Sequence, residues 1–341
     1  MKELKAFIVV IIVTGVIYWG VEPYAHSVLH PHVEPANFDF AKEDIDLAKL
    51  NAANSQAALQ TAKASNNEEA IKSAQKIADI DKATLDKYTA FWDDINSIDL
   101  AKGDANRGAE LVNAAGCTGC HGIASANVPE PMDPRAASES FGVAPPDLST
   151  AGYLYDPKFL AALIKDPVTA LKVGHKFGDE NPFPMTAFMG AGGDLNSEIA
   201  DLVAYFKSIA PKEMSDKEVF VNACARCHDM KYEGVYTNGN KQSIASYLGT
   251  TPPDLSMYIR SRSIDYLHNF INDTQKLLPG TSMPRVGLNE KAQNQAIAYM
   301  SEAGDSKKAE RETTGLYMMG YFFILGIFAL LWKKKIWSKL H

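Results

Sequence analysis

Four cysteines, all consumed by two copies of one short pattern, constrain this chain more than any other feature. They are Cys117 and Cys120, followed by His121, and Cys224 and Cys227, followed by His228. Each copy reads Cys-x-x-Cys-His, and no cysteine is left over. Two cysteines at i and i+3 share one face of a helical turn, and a histidine directly after them turns its imidazole toward that face. Outside the cytosol this pattern has one main chemical reading, covalent attachment of a c-type haem. Two thioether bonds hold the porphyrin edge and the histidine reaches the iron. Two other readings compete. A four-cysteine zinc site does not account for a histidine after both pairs, and zinc ribbons separate their pairs by far less than the 103 residues between Cys120 and Cys224. Redox disulfides of thioredoxin type need a βαβ pattern, which the sequence lacks.

The motif belongs to a longer internal repeat. Pro145-Pro146-Asp147-Leu148-Ser149 recurs as Pro252-Pro253-Asp254-Leu255-Ser256, at the same 107-residue spacing that separates Cys117 from Cys224. Farther on, Met185 in PFPMTAF and Met283 in TSMPRVGL each stand beside proline, ahead of the helix-like segments LNSEIADLVAYF (195–206) and LNEKAQNQAIAYM (288–300). Two homologous domains in tandem are expected, over 101–211 and 212–303. Haem iron in electron-transfer proteins commonly takes His and Met, and the thioether raises the potential by stabilising ferrous iron. Methionine in general is more often core filler, but position in the repeat singles out two: the expected iron pairs are His121 with Met185 and His228 with Met283. Met189 is the competitor in the first domain. With both axial positions taken by protein, no open position remains for oxygen or peroxide chemistry. Asp147 and Asp254, each after two prolines, read as rigid turns bordering the haems rather than as catalytic acids. His26, His30, His32, His175 and His268 read as surface or structural, and the spacing in HSVLHPH is a weak basis for a metal site.

Apolar runs sit near both ends, Ala6 to Val21 and Gly315 to Trp332, each near the length that spans a bilayer core. Lys2 and Lys5 precede the first; Lys333, Lys334, Lys335 and Lys339 follow the second. The positive-inside rule then puts both ends in the cytoplasm and the middle of the chain outside. A cleaved signal peptide is the competing reading of the first run, but Ala25-His26-Ser27 is a poor cleavage site. The expected order is an anchor over 1–22, an extracytoplasmic helical segment over 23–100, the two haem domains, a linker over 304–314, and a C-terminal anchor with a basic tail over 315–341. From Phe40 to about Leu100 there is no Gly, Pro or Cys, and Ala, Lys, Asp and Glu dominate, a composition that favours helix. Ser65-Asn66-Asn67 interrupts it and provides a cap for a second helix. A helical hairpin follows, with Tyr88, Phe91 and Trp92 packing its far end, and a spacer or brace as its default role. The fold class is mainly α. The net charge of −7 argues against a nucleic-acid partner.

CARCHDMKY, GTTPPDLSMYIRSRS, SMPRVGL and the closing span with KKKIWSKL, in that order over 212–341, resemble cytochrome c1 of the quinol:cytochrome c oxidoreductase, the bc1 complex. The resemblance implies an iron pair of His228 and Met283 and an arginine beside a haem propionate, a place held by Arg262, with Arg260 as alternate. It departs from the usual c1 in carrying two haem motifs, in keeping its N-terminal segment and in having the helical stretch 40–100. The whole chain is similar to a dihaem, cytochrome c4-like variety of c1 from bacterial bc1 complexes. At the place matching Arg262 the first repeat has Tyr155, so its propionates need another counter-charge.

The resemblance implies two covalently bound c-type haems and partners that include cytochrome b and a Rieske iron–sulfur subunit. A soluble cytochrome c or oxidase would be the acceptor, within a dimeric complex in the bacterial inner membrane, the haem domains on the periplasmic side. As a subunit it passes electrons and has no catalytic site of its own. A dihaem subunit of a cbb3-type oxidase is the alternative, although that subunit has its anchor before the haem domains. A membrane-anchored dihaem peroxidase is another, and would need one haem with an open position. The direct connection of the second domain to the C-terminal anchor places electron entry at the haem on Cys224 and Cys227, and exit at the haem on Cys117 and Cys120.

Overall fold

The computed structural model describes residues 2–29, 34–178 and 180–340, in two units, Met1–Ala36 and Asn37–His341. Among the described residues there are helices, turns and three isolated bridges, and no β-strand. In the first unit α1 (Lys2–Val16) runs through a π turn at Ile17–Val21 into α2 (Glu22–Leu29). Pro23 has no N–H to give the carbonyl four residues back, and a widened turn is the usual way a helix absorbs that loss. Residues 4–25 form a helix long and apolar enough to cross a membrane, with no side chain of that stretch buried. His30 and His32 of HSVLHPH lie outside the described residues, as does the side chain of His26.

The second unit opens with the expected hairpin. The helix α3 (Phe40–Ala64) begins at Asp39, whose carboxylate accepts from Lys42 N, and α4 (Glu68–Asn96) begins at Asn67, which accepts from Ala70 N. These caps satisfy otherwise orphaned N–H groups. Between the helices, Asn66 takes a positive φ of 53°. At the open end Phe40, Trp92, Ile95 and Ile98 enter the same core as Val112, Phe159, Ile199 and Leu202 of the first repeat. Asp94 pairs with Lys165 at 2.7 Å on the same seam.

The first repeat contains α5 (Ala105–Ala114), α6 (Pro134–Phe141), α7 (Ala151–Leu154), α8 (Pro157–Lys165), α9 (Pro167–Ala170) and α10 (Leu195–Ile209). Its first and last long helices cross. Gly108 makes that crossing possible, since a Cβ there would lie 2.1 Å from the carbonyl oxygen of Asp201. Beside it Arg107 grips the Asp201 carboxylate with two hydrogen bonds of 2.8 Å. The second repeat follows the same order: α11 (Asp216–Ala223), α12 (Lys241–Leu248), α13 (Tyr258–Ser261), α14 (Ile264–Asn272), α15 (Thr274–Leu277) and α16 (Glu290–Gly304). Here α11 packs on α16 through Val219, Phe220, Ala296, Tyr299 and Met300. A Ser215–Glu218 capping box starts α11.

The repeats meet along their length. Tyr155 forms a bridge with Leu288, and Asn289 N donates to Leu154 O at 2.9 Å. Asn240 N donates to Ser138 Oγ at 2.6 Å. The last helix, α17 (Lys308–Leu340), is again long and apolar enough to cross a membrane. It differs from expectation at its start: most of the segment expected as a linker, 304–314, is helix. The Ala-Glu-Arg-Glu run is rich in helix formers and the helix continues through Thr313, Thr314 and Gly315 into the apolar run, so only Asp305, Ser306 and Lys307 separate α16 from α17.

Candidate haem sites

Each Cys-x-x-Cys-His motif follows the first helix of its repeat and closes into a helical turn. His121 N donates to Cys117 O at 3.0 Å, and His228 N to Cys224 O at 2.9 Å. That turn brings the two cysteines of a motif to one side, as their spacing requires. No disulfide joins any of the four cysteines. Burial pushes the Cys224 thiol up to about 12, and Cys117 and Cys227 are raised for the same reason.

The histidines are held the same way in both repeats. Nδ1 of His121 lies 2.8 Å from Pro146 O, and Nδ1 of His228 lies 2.8 Å from Pro253 O. A carbonyl accepts only, so Nδ1 carries the proton and Nε2 keeps its lone pair for a metal. Burial holds both imidazoles below the ordinary histidine range, in the neutral form a ligand needs.

The Pro-Pro-Asp-Leu-Ser turns supply those carbonyls, and their aspartates fix them. Asp147 accepts from Ser149 N at 2.8 Å and Ala124 N at 2.9 Å. Asp254 accepts from Ser256 N at 3.1 Å and Lys231 N at 3.3 Å. Leu148 N donates to Gly122 O and Leu255 N to Asp229 O, both at 2.9 Å. The bridges Ile123–Val128 and Met230–Val235 complete the correspondence. The aspartates thus serve as turn-formers.

Met185 is half-buried in the loop ahead of α10, whereas Met189 is 86% exposed. That loop is pinned by Glu198, which accepts from Ala191 N and Gly193 N, both at 2.7 Å. Met283 is half-buried in the corresponding loop ahead of α16. Its carbonyl accepts from Thr274 Oγ1 at 2.9 Å, and its neighbour Ser282 donates to Leu248 O at 2.5 Å. A c-type haem uses thiols to join the porphyrin edge and a neutral imidazole with a bare Nε2 to meet the iron, and these residues fit that group; the half-buried Met185 and Met283 are the candidates for a thioether ligand. When bound, the haem supplies a one-electron iron couple.

Arg262 is exposed, with its guanidinium 5.4 Å from the Tyr266 ring centre, and Arg260 pairs with Asp305 at 3.3 Å. Tyr155 lies between the two cores. Arg226, inside the second motif, donates to Ala144 O at 3.3 Å, two residues from the carbonyl that orients His121. His175 is exposed; His268 Nδ1 lies 3.1 Å from Gln293 Nε2. No group of metal-binding His, Cys, Asp and Glu side chains occurs among the described residues.

The most buried arginine is one that sequence reasoning passed over. Arg285, two residues after Met283, is 0% exposed. It makes two hydrogen bonds to the Asp44 carboxylate of α3, at 2.9 and 2.5 Å, and one to Asp273 at 3.2 Å. Lys172 of the first repeat lies 2.7 Å from Asp44 and 2.5 Å from Asp273. Trp92 Nε1 donates to Asp44 at 2.9 Å. Burial pushes Asp44 up, but Arg285 and Lys172 outweigh it and hold its carboxyl below the usual range. Asp44 falls on the buried stripe of α3 between Phe40 and Ala48, where a charge needs a partner.

No curated protein or solved structure matches the chain at a significant level. The cytochrome c family model matches residues 105–210, which hold the first motif. The chain therefore contains a cytochrome c domain, and that domain implies electron transfer through covalently bound haem.

Proposed function

We propose that the second repeat holds a second c-type haem, and that the chain is the dihaem cytochrome c1 subunit of a quinol:cytochrome c oxidoreductase. The observation that carries the second haem is the pair of equal hydrogen bonds from His121 and His228 to Pro146 and Pro253. A second motif retained for another purpose has no reason to keep its imidazole in the ligand tautomer against the same proline carbonyl. The iron pairs are His121 with Met185 and His228 with Met283. The half-burial of Met185 against the exposure of Met189 supports the first pair.

The c1 reading rests on the resemblance of 212–341 and on the helix α17, which only three residues separate from the last helix of the second repeat. With both end helices as membrane anchors, the repeats stand on the periplasmic side of a bacterial inner membrane. Electrons from a Rieske iron–sulfur protein enter at the second repeat, beside its anchor, and leave through the first to a soluble cytochrome c or an oxidase. A cytochrome b subunit and a second copy of the complex complete the assembly. Solubilisation of the native membrane complex and identification of its subunits tests this. A b-type cytochrome and a Rieske protein should co-purify with the chain. Recovery with a haem–copper oxidase core, or a high-spin haem in the resting protein, would replace the reading with an oxidase subunit or a peroxidase.

A further inference from the structure

The hairpin of residues 40–96 is larger than a spacer requires, and its one buried carboxylate reaches the loop that carries Met283. Asp44 binds Arg285, and Pro284 alone separates Arg285 from Met283. Proline fixes its own φ and restricts the residue before it, so the position of Arg285 is passed to Met283 with little slack. The same cluster holds the loop from beneath. Asp273 binds Arg285 and Lys172, and the next residue, Thr274, donates to the Met283 carbonyl. Arg285 N also donates to Leu171 O of the first repeat at 3.1 Å. On the hairpin side, Trp92 fixes Asp44, Phe40 lies 5.3 Å under the Arg285 guanidinium, and Glu43 pairs with Lys276 of α15.

Two carboxylates and two cations make the cluster neutral, which is how buried charges are tolerated. Such clusters often add little to stability compared with an apolar core of the same volume, and a role in fixing one arrangement then accounts for their presence. Here the arrangement fixed is the Met283 loop.

We infer that the hairpin is a positioning element for the second-repeat haem: Asp44, acting through Arg285, sets the loop 281–287 so that the Met283 thioether meets the iron. The inference rests on Met283 as ligand. Asp44 and Arg285 are positioning residues, and neither touches the iron. Redox titration of the full-length, haem-loaded chain tests it, together with the charge-transfer absorption of Met-ligated ferric haem. The double variant Asp44→Asn/Arg285→Gln removes one charge of each sign and leaves Lys172 paired with Asp273, so no charge is stranded. It should lower the potential of the second-repeat haem, leave that of the first, and remove about half of the Met–iron absorption, one ligand bond of two. Trp92→Phe, which keeps all four charges but loses the hydrogen bond to Asp44 and part of a buried ring, should shift the same potential in the same direction by less, and it covers the case in which the double variant fails to fold. Unchanged potential and absorption in a folded variant would overturn the inference, provided that Met283→His lowers that potential. If Met283→His leaves it unmoved as well, the ligand assignment is what has failed.

Discussion

His228 presents Nδ1 to the carbonyl of Pro253 at 2.8 Å, and Pro253 is held in place by the turn that Asp254 closes. The bond sets the tautomer, and His121 with Pro146 repeats it at the same length.

Two haems per chain are therefore expected. A pyridine haemochrome assay should give two c haems for the parent, and one after Cys224→Ala/Cys227→Ala. A parent value of one would reject the second site.

The methionines should tune the two haems independently. Met283→His should keep the haem attached and lower its potential, because imidazole stabilises ferric iron relative to thioether. Met185→His should do the same in the first repeat while leaving rapid quinol-driven reduction of the second haem intact and slowing delivery to the acceptor. Loss of that reduction, with the second haem's spectrum unchanged, would reverse the proposed order of electron flow.

Packing between the repeats has a sensitive point at Gly287. Its φ is +74°, and a Cβ there would lie 1.8 Å from the Phe159 ring. Gly287→Ala should cost about 2–4 kcal/mol, from backbone strain together with overpacking. Denaturant unfolding followed by far-ultraviolet circular dichroism would show it as an earlier midpoint, and a midpoint equal to the parent's would contradict it.

Both ends of the chain are expected in the cytoplasm, from Lys2, Lys5 and the lysines after residue 332. A reporter that works only in the cytoplasm, fused after His341, should be active. A silent reporter on a well-expressed fusion would exclude two spans.

What the sequence made legible was local or repeated. Cys-x-x-Cys-His names its chemistry because the residues that act are neighbours. The repeat is visible because Pro145–Ser149 and Pro252–Ser256 keep one spacing. The hairpin shows through the break at Ser65–Asn67, where the Asn67 side chain caps the second helix as its chemistry dictates. Asp44 and Arg285 were not legible as a pair, since 241 residues separate them. An aspartate in an acidic helix reads as a solvated face until burial is known. Arg262 drew attention through resemblance, whereas burial draws it to Arg285. That the link after the second repeat is largely helical was not legible either, because charged residues after a domain leave its conformation open and only the backbone shows that they continue into α17.

The connection between α16 and α17 has a mechanical meaning. Asp305 binds Arg311 of the new helix at 2.7 and 2.8 Å and Arg260 of the second repeat at 3.3 Å, which clamps the three-residue joint from both sides. A joint so short and so fastened gives the second repeat little arc through which to swing. On the proposed reading of α17 as a bilayer anchor, this domain would be a fixed landing stage, and the partner proposed for it would have to supply the travel itself.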